Sequence, residues 1–308
     1  MELLYQRDVY GQALVELGKS HKEIVVLDAD LSSSTRTSLF AKQFPERFFN
    51  FGVAEQNMMA AAAGLAASGK TVFVSTFAIF ATGRAWDQVR NTVSYNNFNV
   101  KIVATHAGLS VGPDGASHQA LEDIALMRVI PNMNIIVPCD GPQTREAIIA
   151  CFEAPGPFYV RLGRPKVATI ENKGEFKFGK AQVLTEGNDA AIIACGIMAQ
   201  EALSAAANLL KKGVKARVIN IHTIKPIDQE AVLKAARETR GIVVCEEHAV
   251  IGGLASSVDE IVAENCPAKV IRLGIRNRYG QSGEPADLLK EYNLTSDDIE
   301  KAVSTIIS

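Results

Sequence analysis

Short apolar runs alternate with helix-period stretches along nearly the whole chain, in two series separated by a polar break. In the first series Ile24 to Leu27, Thr71 to Thr76, Lys101 to Thr105, Ile135 to Val137 and Phe158 to Val160 read as strands. Apolar residues three and four apart across Val9 to Leu17, Asn57 to Ala67 and Leu121 to Met127 read as the helices between them. Such alternation predicts a mostly parallel sheet with helices on both faces. In the second series, strands at Ala190 to Ala194, Ala216 to Ile219, Ile242 to Cys245 and Lys269 to Arg272 alternate with helices at Ala199 to Leu210, Gln229 to Ala236 and Leu254 to Ala263. The predicted fold class is α/β, with two doubly wound domains: a larger one over 1–165 and a smaller one over 189–308. The intervening 166–188 is polar and carries Gly174, Gly179 and Gly187, so it reads as a linker with a hairpin or edge strand at Ala181 to Leu184. A length of 308 residues agrees with two domains, because single cores stop growing at about 250 to 300 residues.

Charge and cysteine usage narrow the classes. A net charge of -2 and the lack of any dense Lys/Arg cluster argue against nucleic acid as a partner. Five cysteines, odd in number, scattered and set in apolar runs without a Cys-x-x-Cys pair, read as reduced core residues. The segment Met1 to Arg7 has neither the basic start nor the apolar stretch of a signal peptide, and no apolar run is long enough to span a membrane. A soluble, cytoplasmic protein is expected.

Four groups of residues could carry chemistry. The run Thr105 to Gln119 follows a predicted strand and holds His106, Asp114 and His118 together with Gly108, Gly112 and Gly115. Open α/β sheets bind ligands at the carboxyl ends of their strands, and glycines allow tight turns and close backbone approach. Two histidines and one aspartate at these spacings match no standard zinc site, so the choice lies between loop histidines satisfied by backbone and a polar wall for a hydroxylated or anionic substrate. Glu55 stands at the start of an alanine-rich helix; it either caps that helix or, packed against the small apolar residues Met58 to Ala67, serves proton transfer. Phe77 and Phe80, three residues apart at a strand end, fit core packing or a flat wall for a ring. Arg161 and Arg164, with Arg7 near the start, could clamp a phosphate or merely be solvated.

In this order and spacing, Glu55, Phe77, Phe80 and the loop with His106, Asp114 and His118 resemble the carboxyl-terminal half of transketolases. The second domain resembles that family's in Cys245-Glu246-Glu247-His248 followed by Ile251-Gly252-Gly253-Leu254. The resemblance covers nearly the whole chain and implies a thiamine diphosphate pyrimidine-binding domain followed by the family's C-terminal domain. It makes Glu55 the glutamate that bonds N1′ of the cofactor aminopyrimidine, favouring the imino tautomer that deprotonates thiazolium C2. Phe77 and Phe80 hold the pyrimidine on this reading, and Asp30 lies near the cofactor. Arg7, Ser34, His106 and Arg164 grip a sugar phosphate, while Asp114 and His118 meet substrate hydroxyls and, with His106, aid proton transfer. Pro113, Ala116 and Ala107 depart from the family pattern, which often has an acidic residue, a proline and an aspartate there; Gly83 stands where some members place a third aromatic.

The family holds the diphosphate and its Mg2+ or Ca2+ with Gly-Asp-Gly and a later Asn on an amino-terminal domain, and no Gly-Asp-Gly occurs in this sequence. The resemblance therefore implies one subunit of a split transketolase, completed by an amino-terminal partner in a two-plus-two heterotetramer. Alternatives are the beta subunit of a 2-oxoacid dehydrogenase, whose loop carries Gly-Gln-His-Ser instead, a relative of 1-deoxyxylulose-5-phosphate synthase, and a non-catalytic assembly subunit. For the C-terminal domain a docking role in subunit contacts is expected, with His248 a surface or interface histidine.

Overall fold

The computed structural model describes residues 2–171 and 173–308. Among the described residues fourteen strands run in chain order as β1 Leu3–Tyr5, β2 Ile24–Asp28, β3 Phe48–Asn50, β4 Thr71–Ser75, β5 Val100–Ala104, β6 Asn134–Ile136 and β7 Phe158–Arg161, followed by β8 Lys166–Ala168, β9 Gln182–Thr185, β10 Ala190–Ala194, β11 Ala216–Asn220, β12 Thr223–Lys225, β13 Ile242–Ala249 and β14 Val270–Ile275. The first sheet has the order β12-β6-β7-β5-β4-β2-β3, parallel except for β12. The second has the order β14-β13-β10-β11-β9, parallel except for β9. Both α/β layers are therefore present. Every residue of β2, β4, β5 and β7 is buried, as continuous apolar strands covered on both faces must be.

The segment read as a linker gives one strand to a separate two-stranded sheet and one edge strand to the second sheet, and no hairpin among the described residues. β8 pairs back onto β1, and β9 pairs antiparallel with β11. The two layers also exchange chain: β12, which follows β11, returns to pair antiparallel with β6 at the edge of the first sheet. One apolar cluster runs from Met58 and Val74 through Met127 and Ile135 to Val244 and Val258, so the layers share a packed core.

Helix starts follow local chemistry. Asp140 caps the helix Gly141–Glu153 by accepting the Gln143 amide at 2.9 Å, with Pro142 in its first turn. Thr295 and Asp298 form a capping box on Ser296–Ile307. The helix expected at Leu121 to Met127 is Asp123–Arg128, and the one expected from Asn57 begins at Glu55. All five cysteines are free; four are buried and Cys266 is half-buried. No helix among the described residues is long and apolar enough to cross a membrane.

Candidate active site

Four neighbouring parallel strands, β7, β5, β4 and β2, deliver the candidate residues from their carboxyl ends. β4 runs into Phe77, β5 into Thr105 and His106, β7 into Arg161 to Arg164, and β2 into the turn from Asp28 to Ser34. This is where open α/β sheets place ligands. Asp28 builds its turn from below: buried, it accepts the Leu31 amide at 2.6 Å and the hydroxyls of Thr35 and Thr37 at 2.7 and 2.8 Å. Burial nevertheless raises its carboxyl above the ordinary range.

Glu55 opens the helix Glu55–Ala67 and is only 2% exposed. Arg84 donates to its Oε1 at 2.8 Å, while its Oε2 is buried without a hydrogen-bond partner among the described residues. The Arg84 guanidinium also lies over the Phe80 ring at 4.5 Å. Arg84 ends the π-helical turn Phe80–Arg84, a conformation frequent at functional sites. Phe77 and Phe80 stack nearly parallel, with centroids 6.1 Å apart and planes at 17°. The chain thus joins a half-satisfied buried carboxyl to an aromatic wall. Sequence reading missed Arg84, although its place four residues after Phe80 on a helical turn is the signal that would have found it.

His106 stacks on Phe77 at 3.9 Å, in a left-handed backbone with φ of 58°. Arg7 Nη1 approaches its Nε2 at 3.5 Å, and Thr105 Oγ1 lies 2.9 Å from its Nδ1. A guanidinium only donates, so Nε2 accepts and the proton sits on Nδ1, directed at Thr105. Burial, followed by the nearby Arg7 and Arg164 charges, pushes His106 down to about 3. His106 is therefore a neutral, orienting group at physiological pH. His118 stands edge-on to both phenylalanines, 5.5 Å from Phe80 and 6.3 Å from Phe77, with Ser117 Oγ 3.0 Å from its Nδ1.

The cations divide in a way the sequence does not show. Arg164 is about one-third exposed, with Nη1 2.5 Å from the Val111 carbonyl and 3.7 Å from Asp114. Arg7 reaches the Ser34 carbonyl at 3.4 Å, so Ser34 meets it through backbone. Arg161, paired with Arg164 in the phosphate-clamp reading, does not face the cleft. It is 4% exposed, with Nε on Asp123 at 2.7 Å and Nη1 3.7 Å from Glu247. Burial alone would raise Asp123, but Arg161 overrides it and holds the carboxyl below the ordinary range. Arg36, unsuspected from sequence, pairs with Asp8 at 2.5 Å and donates to the Ser33 carbonyl at 3.0 Å.

Asp30 has a left-handed backbone with φ of 64° and bonds Asn50 in both directions, amide to Oδ1 at 3.0 Å and Oδ1 from Nδ2 at 3.2 Å. Among the described residues no hydrogen bond links it to Glu55 or His106. His248 overturns the expectation of a surface or interface histidine. It is fully buried at the seam between the layers, where its Nε2 accepts the Ala125 amide at 3.3 Å. Next to it, Glu246 caps the helix Leu254–Asn265 by accepting the amides of Leu254 and Ala255 at 2.7 and 2.9 Å.

Comparison with known proteins agrees over both layers. Residues 4–169 match the family model of the transketolase pyrimidine-binding domain, and residues 179–299 match that of the transketolase C-terminal domain. A provisionally named transketolase C-terminal section of Methanocaldococcus jannaschii is 50% identical over 301 residues, covering 96% of this chain and 94% of that protein. Human transketolase is 38% identical over 307 residues; the match covers 98% of this chain but 49% of the human protein. A solved split-gene transketolase, an inactive beta4 tetramer, superposes with a TM-score of 0.92 at 50% identity, covering 99% of this chain and 98% of that one. By sequence and fold alike, the chain belongs to the transketolase family.

Proposed function

We propose that this chain is the carboxyl-terminal subunit of a split transketolase, which moves a two-carbon ketol unit from a ketose phosphate to an aldose phosphate. Glu55 carries the reading. A buried carboxylate oxygen without a donor costs about 1–3 kcal/mol, so Oε2 calls for a donor from outside the described residues. A protonated ring nitrogen of an aminopyrimidine meets that need, and the apolar faces of Phe77 and Phe80 suit the ring that carries it. The residues therefore fit the pyrimidine end of thiamine diphosphate.

When bound, thiamine diphosphate supplies a carbanion at thiazolium C2 that accepts and releases the two-carbon unit. Glu55 shares and returns a proton at Oε2, while Arg84 fixes the carboxyl through Oε1. Phe77 and Phe80 exclude water from the ring. Arg7 and Arg164 provide the charge that grips the sugar phosphate, beside the Ser34 carbonyl. Neutral His106 orients Arg7 through Nε2 and adds no charge of its own. Asp114 and His118, on the outer part of the loop, meet substrate hydroxyls, and His118 exchanges protons there. Asp30 borders the cofactor side.

The diphosphate and its Mg2+ or Ca2+ fall to an amino-terminal partner in a two-plus-two heterotetramer. That assignment is supported by the likeness, over nearly their full length, to a transketolase C-terminal section and to a chain of a split-gene transketolase. The test mixes this chain with an amino-terminal chain bearing Gly-Asp-Gly, thiamine diphosphate and Mg2+, and assays ketol transfer between sugar phosphates. Transfer by the mixture and by neither chain alone is expected. No transfer across several donor and acceptor phosphates overturns the proposal.

A further inference from the structure

The substrate loop has almost no regular structure of its own. Between His106 and Gln119 only the single turn Leu109–Val111 is helical, and Gly108, Gly112 and Gly115 all have φ near 80°, at 81°, 83° and 75°. Its stem is closed locally, by the Ala107 amide on the Leu162 carbonyl at 3.1 Å and the Gly108 amide on the Ala120 carbonyl at 3.0 Å. The outer part turns on its own bonds, with the Gly115 amide on the Gly112 carbonyl at 3.1 Å and the His118 amide on the Gly115 carbonyl at 3.0 Å, and Arg164 holds the Val111 carbonyl at 2.5 Å; two further supports come from the second layer.

Two arms reach over. Glu247, on β13, accepts the Ser110 amide on Oε2 at 3.0 Å, and a Cβ added at Gly108 would collide with its carboxylate. Arg161 steadies the arm: Nη1 lies 3.7 Å from Glu247 Oε1, and Nη2 donates to the Glu247 carbonyl at 3.2 Å. The second arm is the segment 280–285. Gln119 Nε2 bridges the Leu109 carbonyl of its own loop and the Gln281 carbonyl of that segment, both at 3.0 Å. A Cβ at Gly280 would strike Gln119 Oε1, and one at Gly115 would come within 2.5 Å of Ser282 Oγ. Among the described residues no side-chain hydrogen bond or ion pair joins either arm to Glu55.

We infer that the C-terminal domain serves this site as the mould of the substrate loop, with Glu247 and Gly280 acting as positioning residues for Asp114 and His118. The inference rests on the functional reading above for what those two groups do; the clamp itself is independent of it. Removing either arm frees the backbone from Gly108 to His118, so the substrate-facing groups lose their register while the pyrimidine wall stays in place. A displacement of about 1 Å in positioning groups can cost on the order of a hundredfold in rate.

The test uses Glu247→Ala and, because Glu247 lies in a buried charge cluster, Gly280→Ala as a second variant outside it. Hydrogen exchange of the folded chain is read over 105–119, with 55–67 as the internal control. Faster exchange of the loop alone is expected in both variants. In the complex with the amino-terminal chain, kcat/KM for sugar phosphates should fall roughly ten- to a hundredfold with the affinity for thiamine diphosphate unchanged. Unchanged loop exchange in a folded variant overturns the clamp. Faster exchange with an unaltered kcat/KM, or with cofactor affinity lost in parallel, overturns the positioning role. If the wild-type mixture transfers no ketol unit, the functional reading falls, and loop exchange still decides the clamp.

Discussion

Arg164→Ala separates phosphate recognition from general damage to the cleft. Burial and its cationic neighbours keep His106 uncharged, so on the proposed function the positive charge that meets a sugar phosphate comes from Arg7 and Arg164. A hydrogen bond to a charged group contributes roughly 1.5–3 kcal/mol. Arg164 is one-third exposed and its charge is shared with Asp114 at 3.7 Å, which places it at the lower end, about 1.5 kcal/mol. At about 1.4 kcal/mol per factor of ten, KM for a phosphorylated substrate rises about tenfold. Steady-state kinetics with a ketose phosphate and with a short unphosphorylated ketol donor read the effect. The phosphorylated substrate should lose affinity and the unphosphorylated one should not, with kcat changed by less than about twofold for either. Arg164→Lys keeps the charge without the planar fork and should fall between. An equal rise in KM for both donors would mean that Arg164 merely braces the Val111 carbonyl, and would refute the reasoning.

Glu55→Gln keeps the size and one hydrogen-bonding oxygen but removes the exchangeable proton; kcat should fall by about 10² to 10⁴, with the circular dichroism of the fold unchanged. Turnover near the wild-type rate would remove Glu55 from the proton path. His222 provides a pH test, since burial pushes it down to about 4 and its Nε2 is buried without a partner among the described residues. As pH falls from about 6.5 to about 4 the unfolded chain gains a proton there that the folded chain does not, so stability is lost on acidification at up to about 1.4 kcal/mol per pH unit. Urea midpoints measured across that window should fall less steeply in His222→Gln; an unchanged slope would show that His222 does not titrate differently on folding.

The central strands were legible because each carries its own signal, a continuous apolar run long enough to be buried on both faces. Strands β1, β3 and β12 were not, because three residues each become strands only through distant partners, β12 through β6 across the layer boundary. The same contrast runs through the site. Glu55, Phe77 and Phe80 were readable from local spacing, since a helix start and a strand end fix where such side chains go. Arg161 and Arg164 looked equivalent, and what separates them is Asp123 and Glu247, the second contributed from β13. His248, expected as a satisfied surface or interface histidine, is satisfied but buried for a related reason: the Ala125 amide that it accepts belongs to the other layer.

The loop glycines show how far such a reading can mislead. Glycine permits close approach, and the sequence suggests that the approaching body is a ligand. At Gly108 and Gly115 it is protein, the Glu247 carboxylate and the Ser282 hydroxyl. The space that a side chain would need is occupied before any substrate arrives. On the proposed function the loop and its two arms then act as one unit of specificity. Exchanging residues 105–119 for those of a relative while leaving Glu247 and 280–285 in place would set a new backbone against an old mould. Exchanging all three together keeps the fit between them, and only that exchange should carry a substrate preference from one chain to the other.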